Sequence, residues 1–302
     1  MEGTPAVIVR KYLKLSVVAR VQGPRVLVAA GWASLLVAIF EFGPAPWLAV
    51  PNTAVGPMAT ALAIFLAFHN NGSYDRWWEA RKQWGQLVNS SRTFARQVKS
   101  FIDDASVHGE LIHRQIGFVH ALRFHLRKQA DQLHELEPLL PKGELDEVKK
   151  ASNVPLALMQ KQSDRLRALR SSGALSDFRA VQLDQTLTDL ANVQGACERI
   201  KNTPLPRQYE FYTRLFVYFF VLILPATMLE SLGWRTPLFT VPTSFLFFAL
   251  EGVASVNEDP FENRIQDTPM TALSRTIEIN LRELNGEKDL PPPLQPVDGY
   301  LM

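Results

Sequence analysis

Residues 70 to 85 read NNGSYDRWWEARKQWG, which gathers three tryptophans with Asp75, Arg76, Glu79, Arg81 and Lys82. Carboxylates and cationic groups three or four residues apart pair along a helix face. Tryptophan and tyrosine favour a boundary where one ring edge is wet and the other apolar. The chemistry on offer is ion pairing and interface anchoring, not bond making. A second charged block, NEDPFENRIQD over 257 to 267, holds Asp259, Glu262 and Asp267. His108, His113, His120 and His125 invite a metal reading, but they form no i, i+3 or i, i+4 pair and no cysteine supports them. Locally bonded or solvated histidines are expected, and no metal site. The G-x-S-x-G, H-E-x-x-H, P-loop and G-x-G-x-x-G patterns do not occur. Nothing proposes a reaction, no enzyme is expected and no organic cofactor is implied.

The elements that must position these residues are helices. The chain has 302 residues and a formal net charge of +2, which argues against a basic nucleic-acid binder. Its 47% hydrophobic content looks like that of a large soluble protein, but the apolar residues concentrate in 26 to 68 and 215 to 250. The single cysteine, Cys197, excludes an intrachain disulfide and a cysteine-rich zinc site. RKYLKLSVVARVQGPR, ahead of the first apolar run, has no small-residue cleavage site after a short hydrophobic core, so no cleaved signal peptide is expected.

A membrane helix needs roughly 20 predominantly apolar residues. VLVAAGWASLLVAIFEFG (26 to 43) nearly qualifies, and WLAVPNTAVGPMATALAIFLAF (47 to 68) is uncharged throughout. Pro51 and Pro57 place the regular part of the second helix from about 57, after an irregular lead-in. LFVYFFVLILPATML (215 to 229) and PLFTVPTSFLFFAL (237 to 250) form a second pair, joined by the short ESLGWRT. Runs of this length also occur as buried helices of soluble proteins. Two short hairpins argue for the membrane, as do Arg10, Lys11, Lys14, Arg20 and Arg25 set against Glu2 alone. By the positive-inside rule four crossings leave both termini in the cytoplasm.

Residues 72 to 207 are charged, helix-rich and periodic, with Leu183, Leu187, Leu190, Gln194 and Cys197 on one stripe. Breaks near 141 to 143, 153 to 155 and 171 to 173 divide this region into shorter helices. The expected organisation is a cytoplasmic N-terminal segment (1–25), a first membrane hairpin (26–71), a cytoplasmic helical domain (72–207), a second hairpin (208–253), a further cytoplasmic segment (254–285) and a flexible proline-rich tail (286–302). The apolar helix is expected to leave the bilayer and run on, with Tyr74, Trp77, Arg81, Trp84 and Val88 on one stripe. That would put Asp75, Arg76, Trp77, Trp78 and Glu79 at the membrane interface and just beyond it.

Three blocks, NNGSYDRWWEARKQWG, CERIKNTPLPRQY (197 to 209) and EDPFENRIQDTPMTALSRTIE (258 to 278), resemble the signature blocks of the bestrophin family in the expected order. The likeness covers about residues 20 to 285 and is weakest over 105 to 175. It implies an all-α homopentameric ion channel in the bacterial inner membrane, with a narrow neck and a wider cytoplasmic cavity. Its partners would be other copies of itself, the bilayer and permeant monovalent ions.

Four short spans are too few for a self-contained transporter, whereas copies around an axis build a pore readily. In the uncharged second helix Thr60, Ile64 and Phe68 form one narrow stripe. Ala59, Ala63 and Ala67 form a small-residue stripe beside it, suited to close helix approach. The resemblance puts the pore neck at Thr60, Ile64 and Phe68, with Thr60 standing where a bulky apolar residue is expected. A gapless count from TPLP puts a cytoplasmic aperture near Phe178, which a plain core position would equally explain. The resemblance also matches NEDPFENRIQD to the calcium clasp of animal relatives. Arg264, and Glu262 in place of a glycine, argue against calcium activation here; subunit contacts are expected instead. The rival reading is a membrane-anchored helical scaffold that binds a cytoplasmic partner. A neck without charge does not choose the sign of the ion, and chloride and monovalent cations both stay open.

Overall fold

The computed structural model describes residues 15–43 and 45–296, and among them every regular element is a helix. Arg10, Lys11, Lys14 and the tail from 297 lie outside the described residues. The chain forms two compact units, one holding the helices up to Arg76 with Pro204–Asp259, the other Trp77–Thr203 with the chain from Pro260.

In the first unit, α1 (Leu15–Phe42) packs along α9 (Thr236–Asn257), and α9 along α7 (Arg207–Ile223). The short α8 (Leu229–Leu232), with a 3-10 turn on either side, makes the connection expected at ESLGWRT. α2 (Asn52–Phe101) supplies its first part. It begins directly after Pro51, earlier than expected, with Pro57 inside it. A proline this close to a helix start removes a single ladder hydrogen bond, so the ring does not postpone the helix. The lead-in is a 3-10 turn at Pro46–Leu48.

Ala29, Leu62, Leu66, Val217, Phe220 and Phe248 belong to the core of this unit. The indole of Trp32 donates to the Leu222 carbonyl at 2.9 Å. Outside that core the same helices leave Leu27 73%, Val28 74% and Leu238 70% exposed. Large uncovered apolar surfaces of this kind need a non-aqueous neighbour. Three helical segments, Arg20–Phe42, Arg207–Thr227 and Leu229–Asn257, are long and apolar enough to cross a membrane. With their backbone groups paired internally, as lipid requires, they make this a multi-span membrane protein. The expected second span is the uncharged start of α2 and is not among these three.

In the second unit, α3 (His108–Arg127) is the central helix, packed by α5 (Val154–Ser171) and α10 (Met270–Asn285). α6 (Asp177–Asn202) packs on α5, and α4 (Glu144–Val148) is a short turn of helix before it. The breaks fall where turn residues predict them. Gly143 precedes α4 at φ 83°, and the Asn153 side chain accepts from the Leu156 amide at 3.1 Å to open α5. α10 ends at Gly286, with φ 88°. Leu183, Leu187, Leu190, Gln194 and Cys197 are all buried, as their stripe predicts. Burial pushes the Cys197 thiol up to about 12, which makes it an inert core group. Beyond Gly286 the described chain has no helix, yet Glu287 is held by His113, Arg282 and Asn285.

Candidate functional site

The exposed side of early α2 carries the expected neck residues. Thr60 is exposed, Ile64 is 54% exposed and Phe68 67%, while Leu62 and Leu66 on the other side are buried in the core. Spacings of four residues put all three on one face of the helix. Ala63 and Ala67 are exposed next to them and Ala59 is half-buried. Thr60 Oγ1 donates to the Gly56 carbonyl at 3.1 Å. Its proton is thereby used by the helix itself, and the threonine is less of a polar departure than its type suggests.

Downstream, the same exposed side turns polar. Asn71, Tyr74, Asp75 and Trp78 are exposed, and Asp75 has no ion pair among the described residues. The buried side runs through Ala80, Trp84 and Leu87. Of the expected stripe, Trp84 is fully buried, Trp77, Arg81 and Val88 are half-buried and Tyr74 is exposed. Ser73, like Ala80, is fully buried on this side as well.

Arg76, Trp77 and Glu79 have fixed partners. Arg76 Nε donates to the Glu258 carbonyl at 2.5 Å. Burial lowers the Arg76 pKa, against the pull of Asp259 and Glu258, and burial with like charge from Glu210 and Asp259 raises that of Glu258. Trp77 Nε1 donates to the Gln266 carbonyl at 2.8 Å, and its ring stacks on Trp78 with centroids 6.2 Å apart. Glu79 accepts from Lys82 at 2.7 Å and Gln83 at 2.6 Å, which holds its carboxyl below the usual range.

In the acidic block, Glu262 pairs with Lys201, and the buried Asp267 accepts the Arg264 amide at 3.0 Å. Burial raises the Asp267 pKa. Among the described residues no three His, Cys, Asp or Glu side chains are grouped to hold a metal ion. The histidines go to separate partners: His108 to the Ile102 carbonyl at 2.7 Å, His113 to Glu287 at 2.6 Å, His120 to Glu278 at 3.2 Å and His125 to Glu198 at 3.6 Å.

Phe178 is the second residue of α6 and is 87% exposed, so the plain core alternative does not hold. Sequence reasoning missed the cluster around Glu251, where a carboxylate 4% exposed meets Arg25 at 3.0 Å and Arg214 at 3.2 Å. Each residue stands out alone as a charge at the end of an apolar run. Only the pairing of α1 and α7 with α9 brings them together.

A family model described as Bacterial/Fungal Bestrophin protein matches residues 6–283. YneE of Escherichia coli, a voltage-dependent anion channel-forming protein, is 36% identical over 243 residues, covering 80% of each chain. A protein of the same description from Mesorhizobium japonicum is 32% identical over 275 residues, 91% of this chain and 84% of that one. The crystal structure of a bacterial bestrophin homolog from Klebsiella pneumoniae superposes with a TM-score of 0.84 at 29% identity, covering 88% of this chain and 98% of that one. Match, relatives and fold agree over nearly the whole chain, which belongs to the bacterial and fungal bestrophin family.

Proposed function

We propose that the chain is one subunit of a homopentameric, passive ion channel of the bacterial inner membrane. Bestrophin-family proteins are ion channels and not enzymes. In this reading Thr60, Ile64 and Phe68 ring the neck, Phe178 rings a cytoplasmic aperture, and Asp75 to Glu79 stand behind the neck. The N-terminus and C-terminus are cytoplasmic, and the start of α2 makes the fourth crossing.

The observation that carries the reading is the exposed face of α2, apolar at Ile64 and Phe68 and polar from Asn71 onward, on a helix whose other side is packed. An apolar ring controls conduction by how readily it dewets. The anion-channel names of the relatives favour an anion as the permeant species.

The test is the reversal potential of purified protein in a planar bilayer under an asymmetric KCl gradient. Reversal near the chloride equilibrium potential supports the anion reading. Reversal near the potassium potential keeps the channel and overturns the sign. Silence from assembled, inserted protein, including the alanine variants of Ile64 and Phe68, sinks the channel and leaves a membrane-anchored scaffold.

A further inference from the structure

A cavity of about 460 Å³ opens where the end of α3, the chain leading into α5 and the last turn of α6 meet. All of it lies within the unit that holds Trp77–Thr203. Its floor is apolar, formed by Ala121, Phe124, Leu126, Leu133 and Val154. Lys128, Lys149, Lys201, His125 and Glu198 stand around it.

The charges there do not cancel. Glu198 accepts from the Asn153 and Gln194 amides, both at 2.8 Å, and faces His125. Lys201 is paired with Glu262. Lys128 and Lys149 are exposed, and neither has an ion pair among the described residues. Lys128 also sits in the left-handed region at φ 58°, where its amide closes α3 by bonding back to the His125 carbonyl. A lysine rarely adopts that conformation, and it seats this one at the cavity rim.

We propose that this cavity binds a small organic anion, with a phosphate or carboxylate group paired by Lys128 and Lys149 and a compact apolar body on the floor. Binding cavities fall in this size range and are mainly apolar, with a few placed polar groups. An ammonium group is an effective point-charge partner for phosphate. The proposal stands independently of the channel reading.

The test is calorimetric titration of the assembled full chain with phenyl phosphate, inorganic phosphate and benzyl alcohol. Phenyl phosphate is expected to bind about tenfold or more tightly than either of the others, a difference of ~1.4 kcal/mol. The double substitution Lys128→Ala, Lys149→Ala is expected to remove that advantage. Ala151→Trp, placed at an exposed lining position, is expected to block binding. Equal binding of benzyl alcohol, equal binding of inorganic phosphate, no binding of phenyl phosphate at about 10 mM, or lysine variants that bind as the wild type does would each overturn the proposal. The three-probe comparison needs only the wild-type chain, so a variant that fails to assemble does not remove the test.

Discussion

Arg114 on α3 and Glu144 at the start of α4 meet through two hydrogen bonds of 2.6 Å each, with their side chains 4% and 9% exposed. Arg114 also donates to Glu110 at 2.9 Å and to Gln162 at 3.1 Å, so one guanidinium joins three elements. Removing one member of a buried pair leaves an uncompensated charge, at a cost of about 3–5 kcal/mol. Arg114→Ala, which strands the buried Glu144, is expected to lower the denaturant midpoint sharply, and Glu144→Ala less, because Arg114 keeps Glu110. The double change Arg114→Met, Glu144→Leu is expected to lose less than Arg114→Ala, because no charge is left stranded and Glu110 keeps Arg165. A double variant as weak as the sum of the singles would refute this.

The His120 imidazole is buried, and desolvation lowers its pKa from 6.5, with Arg123 and Arg275 adding to the effect and Glu278 opposing it. The unfolded chain therefore takes up a proton at a higher pH than the folded chain does. This stability is full above about pH 6.5 and declines as pH falls from there through the folded value. Burial alone would raise Glu278, but its bond from His120 and the charges of Arg275 and Arg282 hold it low, so its loss follows at lower pH. Arg123 itself reaches out to Glu135 at 3.4 Å. Unfolding midpoints measured from pH 7.5 to 5 should fall in the wild type and flatten in His120→Gln. A wild-type midpoint that rises on acidification would reverse the assignment.

For the neck, Phe68→Ala and Ile64→Ala are expected to increase single-channel current, on the order of twofold or more, by widening an apolar ring that dewets. Thr60→Val should leave it within about twofold, because the threonine hydroxyl already serves the Gly56 carbonyl. A large change at Thr60 with none at Phe68 would move the narrow point elsewhere.

Asp75 and Glu79 differ in what they offer a passing ion. Glu79 is engaged by Lys82 and Gln83, whereas Asp75 is exposed and unpaired among the described residues. Asp75→Asn is expected to shift the reversal potential towards chloride, and Glu79→Gln much less. The prediction fails if Glu79→Gln produces the larger shift.

Much of this was readable in the sequence, for identifiable reasons. The stripe from Leu183 to Cys197 is buried because a helix in a packed unit repeats its core contacts every three to four residues. Gly143, Asn153 and Gly286 mark helix ends because their backbone and capping preferences act locally. The expected start of α2 is too late because it takes Pro57 for a helix start, whereas Pro57 is the sixth residue of the helix and costs only one ladder hydrogen bond. Trp77 and Trp84 share one stripe on paper, but burial at each depended on partners remote in the chain. Gln266 for Trp77 is such a partner. The Glu251 cluster and the cavity beside Lys128 were out of reach for the same reason, since their members come from segments far apart in sequence.

α2 is assigned as one helix of 50 residues, Asn52–Phe101. Its length is therefore a hard constraint in a way that a loop's is not. One residue added or deleted between Ala80 and Trp84 would turn the side chains that follow in α2 by about 100° about the axis. Substitutions along this helix can be absorbed one position at a time, whereas a frame-preserving insertion would re-aim the rest of it at once.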